Sequence, residues 1–563
     1  MKVNELNKPL VIKSASAGSG KTYSLVQDYL KLTLRNGVES TNFSKIIAMT
    51  FTNKAAWEMK ERIISALDQL ANIDSFKGKV LEKAQGLMES TMKNTGLSSN
   101  FITEKSKSVL SEILHRYEDF NVLTIDKFSL RLIRTFSRDL DLQDNFEVTL
   151  DQEALLEKVI DEMISKIGRP EEEELTRLAL SYAKSNINEG NSWDFRRGLI
   201  AFSTVLTRET DQEFVNYLLE KEFKDDEYED IQKDIKELAD THSKMCLEAY
   251  QYFVSLHTTA DDYPGKSRGI YALLNKLPER DLYNVVAPST TVLQTLSGEN
   301  VKEEHNVDGM LMSKVNQIFQ FEEENKSKFY TLRKIRENFY NLSFLKYISN
   351  ELNTFKEKEN IIGIYEFGRK IADLLQRERT QYVYERLGNR YNHYLLDEFQ
   401  DTSRLQWLNL IPLIHESISH GHNILIVGDP KQAIYRFRNG LVEQFVALPA
   451  IYNPEGDKEL AQISNYFNEM GFLDTLQDNY RSQKMIVEFN NYIFKQLLEV
   501  LPPSFSDNYK DIRQNPKSSS GGFVGIKLLS NDVKNEDIQE EEKVFLLESV
   551  EKVIEDGYLP GDI

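Results

Sequence analysis

The chain has one cysteine, Cys246, among 563 residues. One thiol closes no internal disulfide and by itself holds neither a thiolate zinc site nor an iron–sulfur cluster. A reducing, cytoplasmic setting suits such a chain. Glycine and proline are scarce, at 26 and 13, which excludes a collagenous or low-complexity protein and favours long ordered elements. No apolar run approaches the roughly 18 residues of a membrane span, and Pro9 to Ile12 is too short for a signal-peptide core, so the expectation is a protein neither exported nor embedded. Cationic excess is lacking too: 69 lysines and arginines stand against 89 aspartates and glutamates, a net charge of −20. That disfavours coating nucleic acid through bulk charge, yet a local basic groove is compatible with it, because phosphate contacts depend on where the cations sit.

What the chain does have is length and pattern. At about 150 residues per domain, three or four compact units are expected. Five short apolar runs, Pro9 to Lys13, Lys45 to Met49, Asn121 to Ile125, His393 to Leu396 and Asn423 to Val427, suit strands buried on both faces of a parallel sheet. Helical patterns at Lys54 to Leu70 and Leu130 to Leu140 separate several of them, which predicts a doubly wound α/β domain. Leu150 to about Arg379 reads as successive amphipathic helices broken at the turn-rich Asp261 to Gly269, an inserted helical domain whose charge-dense stretches are solvated faces. Farther on come a turn at Asn453 to Gly456, the KSSSGG patch at Lys517 to Gly522, the strand-like GFVGIKLL and a charged helix from Glu540 to Asp556.

Chemistry concentrates where strands end. ASAGSGKT, covering Ala15, Ser16, Ala17, Gly18, Ser19, Gly20, Lys21 and Thr22, follows the first strand and precedes a helix. Small residues let backbone N–H groups turn toward a phosphate, and the helix start adds its positive end. Lys21 would reach the β and γ phosphates, and the Thr22 hydroxyl would ligate Mg²⁺. LLDEFQDTS supplies the carboxylates that ATP hydrolysis needs: Asp397 for the metal and Glu398 for the lytic water. Three segments mix aromatics with cations, as single-strand binding requires: TFTNKAAWEMKERI from Thr50, GDPKQAIYRFRNG from Gly428, and LQDNYRSQKMIVEFN from Leu476. His420 and His422 flank Gly421 in a turn, and His393, Trp57 and Trp407 read as packing or rim residues.

In order and spacing these segments resemble the UvrD-like branch of superfamily one DNA helicases, of the RecB and AddA type. ASAGSGKT resembles motif I, TFTNKAAWEMKERI motif Ia, TIDKF (Thr124 to Phe128) motif Ic, DEFQDTS motif II, GDPKQAIYRFR motif III and NYRS (Asn479 to Ser482) motif IV. The resemblance implies a RecA-like fold over 1–149 and 386–445, interrupted by a helical insertion at 150–385 and followed by a partial second RecA-like domain at 446–563. It implies that Lys21 and Thr22 bind phosphate and magnesium with Asp397 and Glu398, and that Gln432 senses the γ-phosphate. Tyr480 would stack on adenine and Arg481 would contact the γ-phosphate. Single-stranded DNA would cross Thr50, Phe51, Asn53, Thr124, Tyr435, Phe437 and Arg438. The implied activity is an ATP-dependent, 3′ to 5′ DNA helicase serving a break-repair complex beside a nuclease-helicase partner.

Three departures qualify the match. Asp126 stands where the family often has His, and a carboxylate there repels a phosphate. No Gln precedes the phosphate loop to contact adenine. Motifs V and VI, the latter with its Arg finger, are missing, so the chain reads as the N-terminal part of a longer helicase or one piece of a split gene. DNYKD at Asp507 to Asp511 fits a nuclease site poorly. The competing reading is an ATP- and DNA-binding module without turnover; a nucleotide kinase leaves GDPKQAIYRFR and NYRS unexplained.

Overall fold

The computed structural model describes residues 8–377, 391–500, 512–529 and 535–562, apart from positions 141, 144, 189, 191, 209, 210, 222, 303 and 304. The chain divides into two compact units, one formed by residues 1–144 with 367–563, the other by Asn145–Glu366.

The first unit is built on six parallel strands: β1 (Leu10–Ala15), β2 (Ile46–Thr50), β3 (Val122–Thr124), β4 (His393–Leu396), β5 (Ile424–Gly428) and β6 (Gly471–Leu476). Their order in the sheet is β3-β2-β4-β5-β1-β6, with Ile12 in register with both Ile426 and Leu473. The apolar runs form strands because both faces are covered: all five residues of β2 and of β5 are buried. Four helices, α1 (Lys21–Thr33), α2 (Asn53–Ala71), α3 (Gly78–Thr95) and α4 (Ser99–His115), pack one face around Leu30, Ile63, Ile102, Leu395 and Leu425. Strand alternation turns Tyr394, Leu396 and Ile426 the other way. Helix α5 (Ile125–Thr135) and the helices Phe367–Arg377 and Arg404–Ser419 pack on one another within this unit. Side chains fix where helices begin. Thr52 caps α2, Thr124 caps α5, and Ser403 with Gln406 makes a reciprocal capping box at Arg404, satisfying N–H groups that a helix start leaves open.

The second unit is helical. A 31-residue helix, Asp225–Ser255, packs along a 51-residue helix, Gly309–Glu359, and a parallel pair, Glu147–Thr149 with Ile361–Gly363, joins its ends. Most of its charges are solvated, but Glu322 is buried, where it accepts two hydrogen bonds from Arg280 and meets His242 at 2.8 Å. Cys246 lies in the apolar core of this unit.

Several expectations change. The helical unit starts at Asn145 and stops at Glu366, because the amphipathic helix Phe367–Arg377 packs against α5 and Arg404–Ser419 instead; the expected boundary at 385 lies outside the described residues, as does DNYKD. Residues 471–476, assigned from sequence to a second domain, are the edge strand β6 of the first sheet. Beyond β6 the described residues pair only Asp478–Asn479 with Asn515–Pro516 and form the helices Lys484–Leu498 and Asn535–Glu555. GFVGIKLL is not a strand: Phe523 and Leu528 are exposed, and no ladder partner lies alongside among the described residues.

Packing of this density predicts a steep local penalty. Leu395→Ala, at the centre of the sheet, should lower urea stability of the sheet-bearing unit by about 2–5 kcal/mol, whereas Val80→Ala, at an exposed position of α3, should stay within about 0.5 kcal/mol. Equal effects of the two changes would contradict the assigned core.

Candidate nucleotide and DNA site

The phosphate loop turns through two glycines with positive φ, Gly18 at 80° and Gly20 at 85°, a conformation that side chains resist. A Cβ on Gly18 would lie 2.9 Å from both Arg481 Cβ and Asn479 Oδ1, so the position needs glycine twice over. Helix α1 starts at Lys21 with no side-chain cap and no acidic residue in its first turn. Its N–H groups and positive end are therefore left for an anion. Behind the loop, Lys13 donates to Ser24 at 2.6 Å and pairs with Asp28, bracing α1 against β1.

Lys21 is the hub. Its Nζ donates to Glu398 Oε2 and to Gln432 Oε1, both at 3.2 Å. Gln432 Nε2 donates to Asp429 Oδ2 at 2.7 Å, the Asp429 N–H donates to Gln400 Oε1 at 2.9 Å, and Gln400 Nε2 donates to Glu398 Oε2 at 2.8 Å. Five residues from three segments thus form a closed ring at the carboxyl ends of β1, β4 and β5. Glu398 is held in the left-handed region, φ 50°. Next to it, burial first and the charge of Glu398 second hold the Asp397 carboxyl up at about 6, against the opposing pull of Lys21 and Arg62. The same two causes raise Asp401 to about 6.

No group of three or more His, Cys, Asp or Glu among the described residues could hold a metal ion. A nucleotide-bound magnesium takes only one or two protein ligands, with phosphates and water supplying the rest. Thr22 follows Lys21 and Asp397 precedes Glu398, the pair that meets at 3.2 Å, so one hydroxyl and one buried carboxylate suit such an ion.

Asn479 clamps the loop from the far side. It donates to the Ala17 carbonyl at 3.2 Å and accepts from the Arg481 and Ser482 N–H groups, while the Tyr480 N–H donates to the Gly18 carbonyl at 2.9 Å. Tyr480 thereby sits 67% exposed beside Gly20, and Arg481 is exposed as well.

At the same end of the sheet, Phe51 meets Tyr435 with ring centroids 4.7 Å apart, and Tyr435 meets Phe437 at 5.7 Å. The Arg438 guanidinium lies 5.8 Å from the Tyr435 ring and 5.9 Å from that of Phe437, and Phe437 is 78% exposed. Asn53 is exposed at the start of α2. Thr50 and Thr124 are buried: Thr50 ends β2 at 0% exposure, its hydroxyl without a partner, and Thr124 spends its hydroxyl on the Lys127 N–H. Neither presents a side chain at the surface.

Residues 1–452 match the UvrD/REP helicase N-terminal domain. The chain belongs to the UvrD/REP helicase family. Among curated proteins it is 23% identical, over 97% of its length, to an ATP-dependent helicase/nuclease of Staphylococcus aureus strain NCTC 8325 / PS 47, and equally to that of strain JH9. It spans 43% of the length of these relatives.

For a UvrD/REP family chain, the Asp126 departure has a local answer. Asp126 accepts from Gln406 at 3.1 Å, and burial raises its pKa against the pull of Gln406 and Arg438. Its carboxyl is committed to the protein, not to a phosphate. Trp407 packs in the core as expected, but Trp57 is 62% exposed. His393 is half-buried, with its ring nitrogen taking the Asn423 N–H, and burial with neighbouring His422 lowers it to about 4. Four residues of the site were not singled out from sequence: Gln400, Asp429, Asn479 and Gln514. The first three lie inside the motifs, where their polar side chains beside Glu398, Gln432 and Tyr480 were a usable signal; Gln514, which donates to the Ala17 carbonyl at 2.9 Å, had none.

The raised carboxyls fix a pH dependence. A carboxyl whose folded pKa is about 6 and whose unfolded value is about 3.9 contributes stability that is full below about 4 and lost as pH rises through 6. Asp397→Asn removes that cost. The nucleotide-free variant should therefore gain melting temperature at pH 8 and gain little at pH 4.5; a gain independent of pH, or a loss at pH 8, would count against the burial cause.

Proposed function

We propose that this chain binds ATP and couples its hydrolysis to movement along single-stranded DNA, 3′ to 5′, as the helicase component of a double-strand-break repair and recombination complex in the cytoplasm with a nuclease-helicase partner. Family membership and the names of the relatives support an ATP-dependent DNA helicase; no helix of the described residues is long and apolar enough to cross a membrane. The observation that carries the reading is Lys21 bound at 3.2 Å to both Glu398 and Gln432, because it unites a phosphate-loop lysine, a carboxylate for water and the segment that bears the exposed aromatics.

The phosphates of ATP would lie over Ala15 to Gly20, with the start of α1 and Lys21 opposing their charge. Thr22 and Asp397 would hold Mg²⁺, which when bound neutralises charge on the β and γ oxygens. Tyr480 would stack on adenine, and Arg481 would approach the γ-phosphate. Glu398 would orient the attacking water and accept its proton. In the nucleotide-free ring Lys21 already neutralises Glu398, so an incoming γ-phosphate competes for the lysine and frees the carboxylate for water. Gln432 loses the same partner, and three residues later on the same segment Tyr435 stacks on Phe51. Nucleotide state would reach DNA by that route, with Phe51, Tyr435 and Phe437 stacking on bases and Arg438 and Asn53 on the backbone; Thr50 and Thr124 would act through their backbone and their caps.

The test uses the intact enzyme with single-stranded DNA present. Lys21→Ala should lose nucleotide binding and hydrolysis, while Glu398→Gln should keep binding and lose hydrolysis by about 100-fold or more. Normal turnover in both variants would overturn the assignment.

A further inference from the structure

Trp57 and Lys60 on α2 have no part in the roles above, yet they continue from Asn53 at i+4 and i+7, along one face of the helix. Trp57 is 62% exposed. Lys60 lies with its Nζ 4.8 Å from the centroid of the Tyr117 ring, itself 48% exposed, and 5.6 Å from that of Phe120. Across the edge strand β3, helix α5 brings Lys127, which is exposed, and Arg131 close enough that their charges, after burial, lower the pKa of Lys60. Arg131 is held in place by neutral groups, donating to Asn121 Oδ1 and to the Tyr391 hydroxyl at 2.6 Å each. Nearby acids are otherwise engaged: Asp119 pairs with Arg116 at 2.6 Å, and Glu61 lines a cavity with Tyr23, Arg62 and Lys83 on another side of α2. Among the described residues none of Lys60, Lys127 and Arg131 forms an ion pair, in a chain whose net charge is −20.

Three converging cations without a counter-charge repel one another. Such a cluster is relieved by a polyanion, and the exposed indole and phenol beside it offer stacking faces that a duplex would not use. We propose that the edge of the sheet formed by Trp57, Lys60, Tyr117, Lys127 and Arg131 is a second contact surface for single-stranded DNA, extending the path from Phe51 and Tyr435 along α2. The inference rests on the DNA reading above and adds a surface to it. Asn53 to Lys60 spans about 10 Å of helix, so a strand leaving Asn53 meets Trp57 and then Lys60 without a break.

The test measures fluorescence anisotropy of thymidine oligonucleotides of about 6 and about 25 nucleotides, lengths chosen against known single-strand site sizes. Trp57→Ala with Lys127→Ala should weaken the longer oligonucleotide about tenfold, lower its salt slope by about 0.7 for the lost cation and leave the shorter one and the melting temperature unchanged. Trp57→Phe, which keeps a stacking face, should restore most of the loss. Unchanged affinity and salt slope for the longer oligonucleotide in the double variant overturn the extension alone. Binding of a duplex in preference to the longer oligonucleotide, lost in the same variant, overturns its single-strand assignment. Wild-type protein that binds neither length overturns the DNA reading, and the extension with it.

Discussion

The Lys21 ammonium, shared between the Glu398 carboxylate and the Gln432 amide at 3.2 Å each, is the contact on which the site depends. Glu398, Asp397 and Asp401 crowd the end of β4, two of them with carboxyls raised by burial and by Glu398. Without a cation between them such a cluster is costly. Lys21 lies where the charge is needed because β1 is flanked by β5 and, through it, β4, and because Gly18 and Gly20 turn the chain back over the ends of those strands.

The ring also sets how a nucleotide can act at a distance. Gln432 and Asp429 belong to the segment that carries Tyr435, Phe437 and Arg438, and that segment is tied to the motif II loop at both ends. At one end the Asp429 N–H donates to Gln400; at the other Gly440 bridges Ser403 and the Leu441 N–H donates to the Thr402 carbonyl. A change in the hydrogen bonds of Lys21 is therefore felt by a short, doubly anchored loop, not by a free one. That is the kind of two-arrangement element through which binding at one site biases another.

Local sequence carried much of this. The five apolar runs became β1 to β5 because a strand buried on both faces must be uninterrupted by charge, and ASAGSGKT stood between a strand and a helix as its chemistry requires. Contacts between distant segments were not legible. Gln514 reaches the Ala17 carbonyl across 497 positions, and no periodicity announces such a pair. Glu322 was taken with the solvated faces of the helical region because a 3.6-residue pattern does not reveal that Arg280 and His242 meet it from elsewhere in the chain. GFVGIKLL has the composition of a strand but no neighbour to pair with among the described residues, and pairing, not composition, makes a sheet. Trp57, read as a packing residue because large aromatics usually are, lies on the outer face of α2.

Coupling between the two ends of the ring is what would bind nucleotide to DNA, and it is open to direct measurement. Single-strand affinity is determined with and without a non-hydrolysable ATP analogue, for the wild type and for Gln432→Ala. The analogue is expected to shift wild-type affinity by about 5-fold or more, a coupling of about 1 kcal/mol, and the variant to bind the analogue while its DNA affinity no longer responds. An equal shift in both proteins would contradict the coupling.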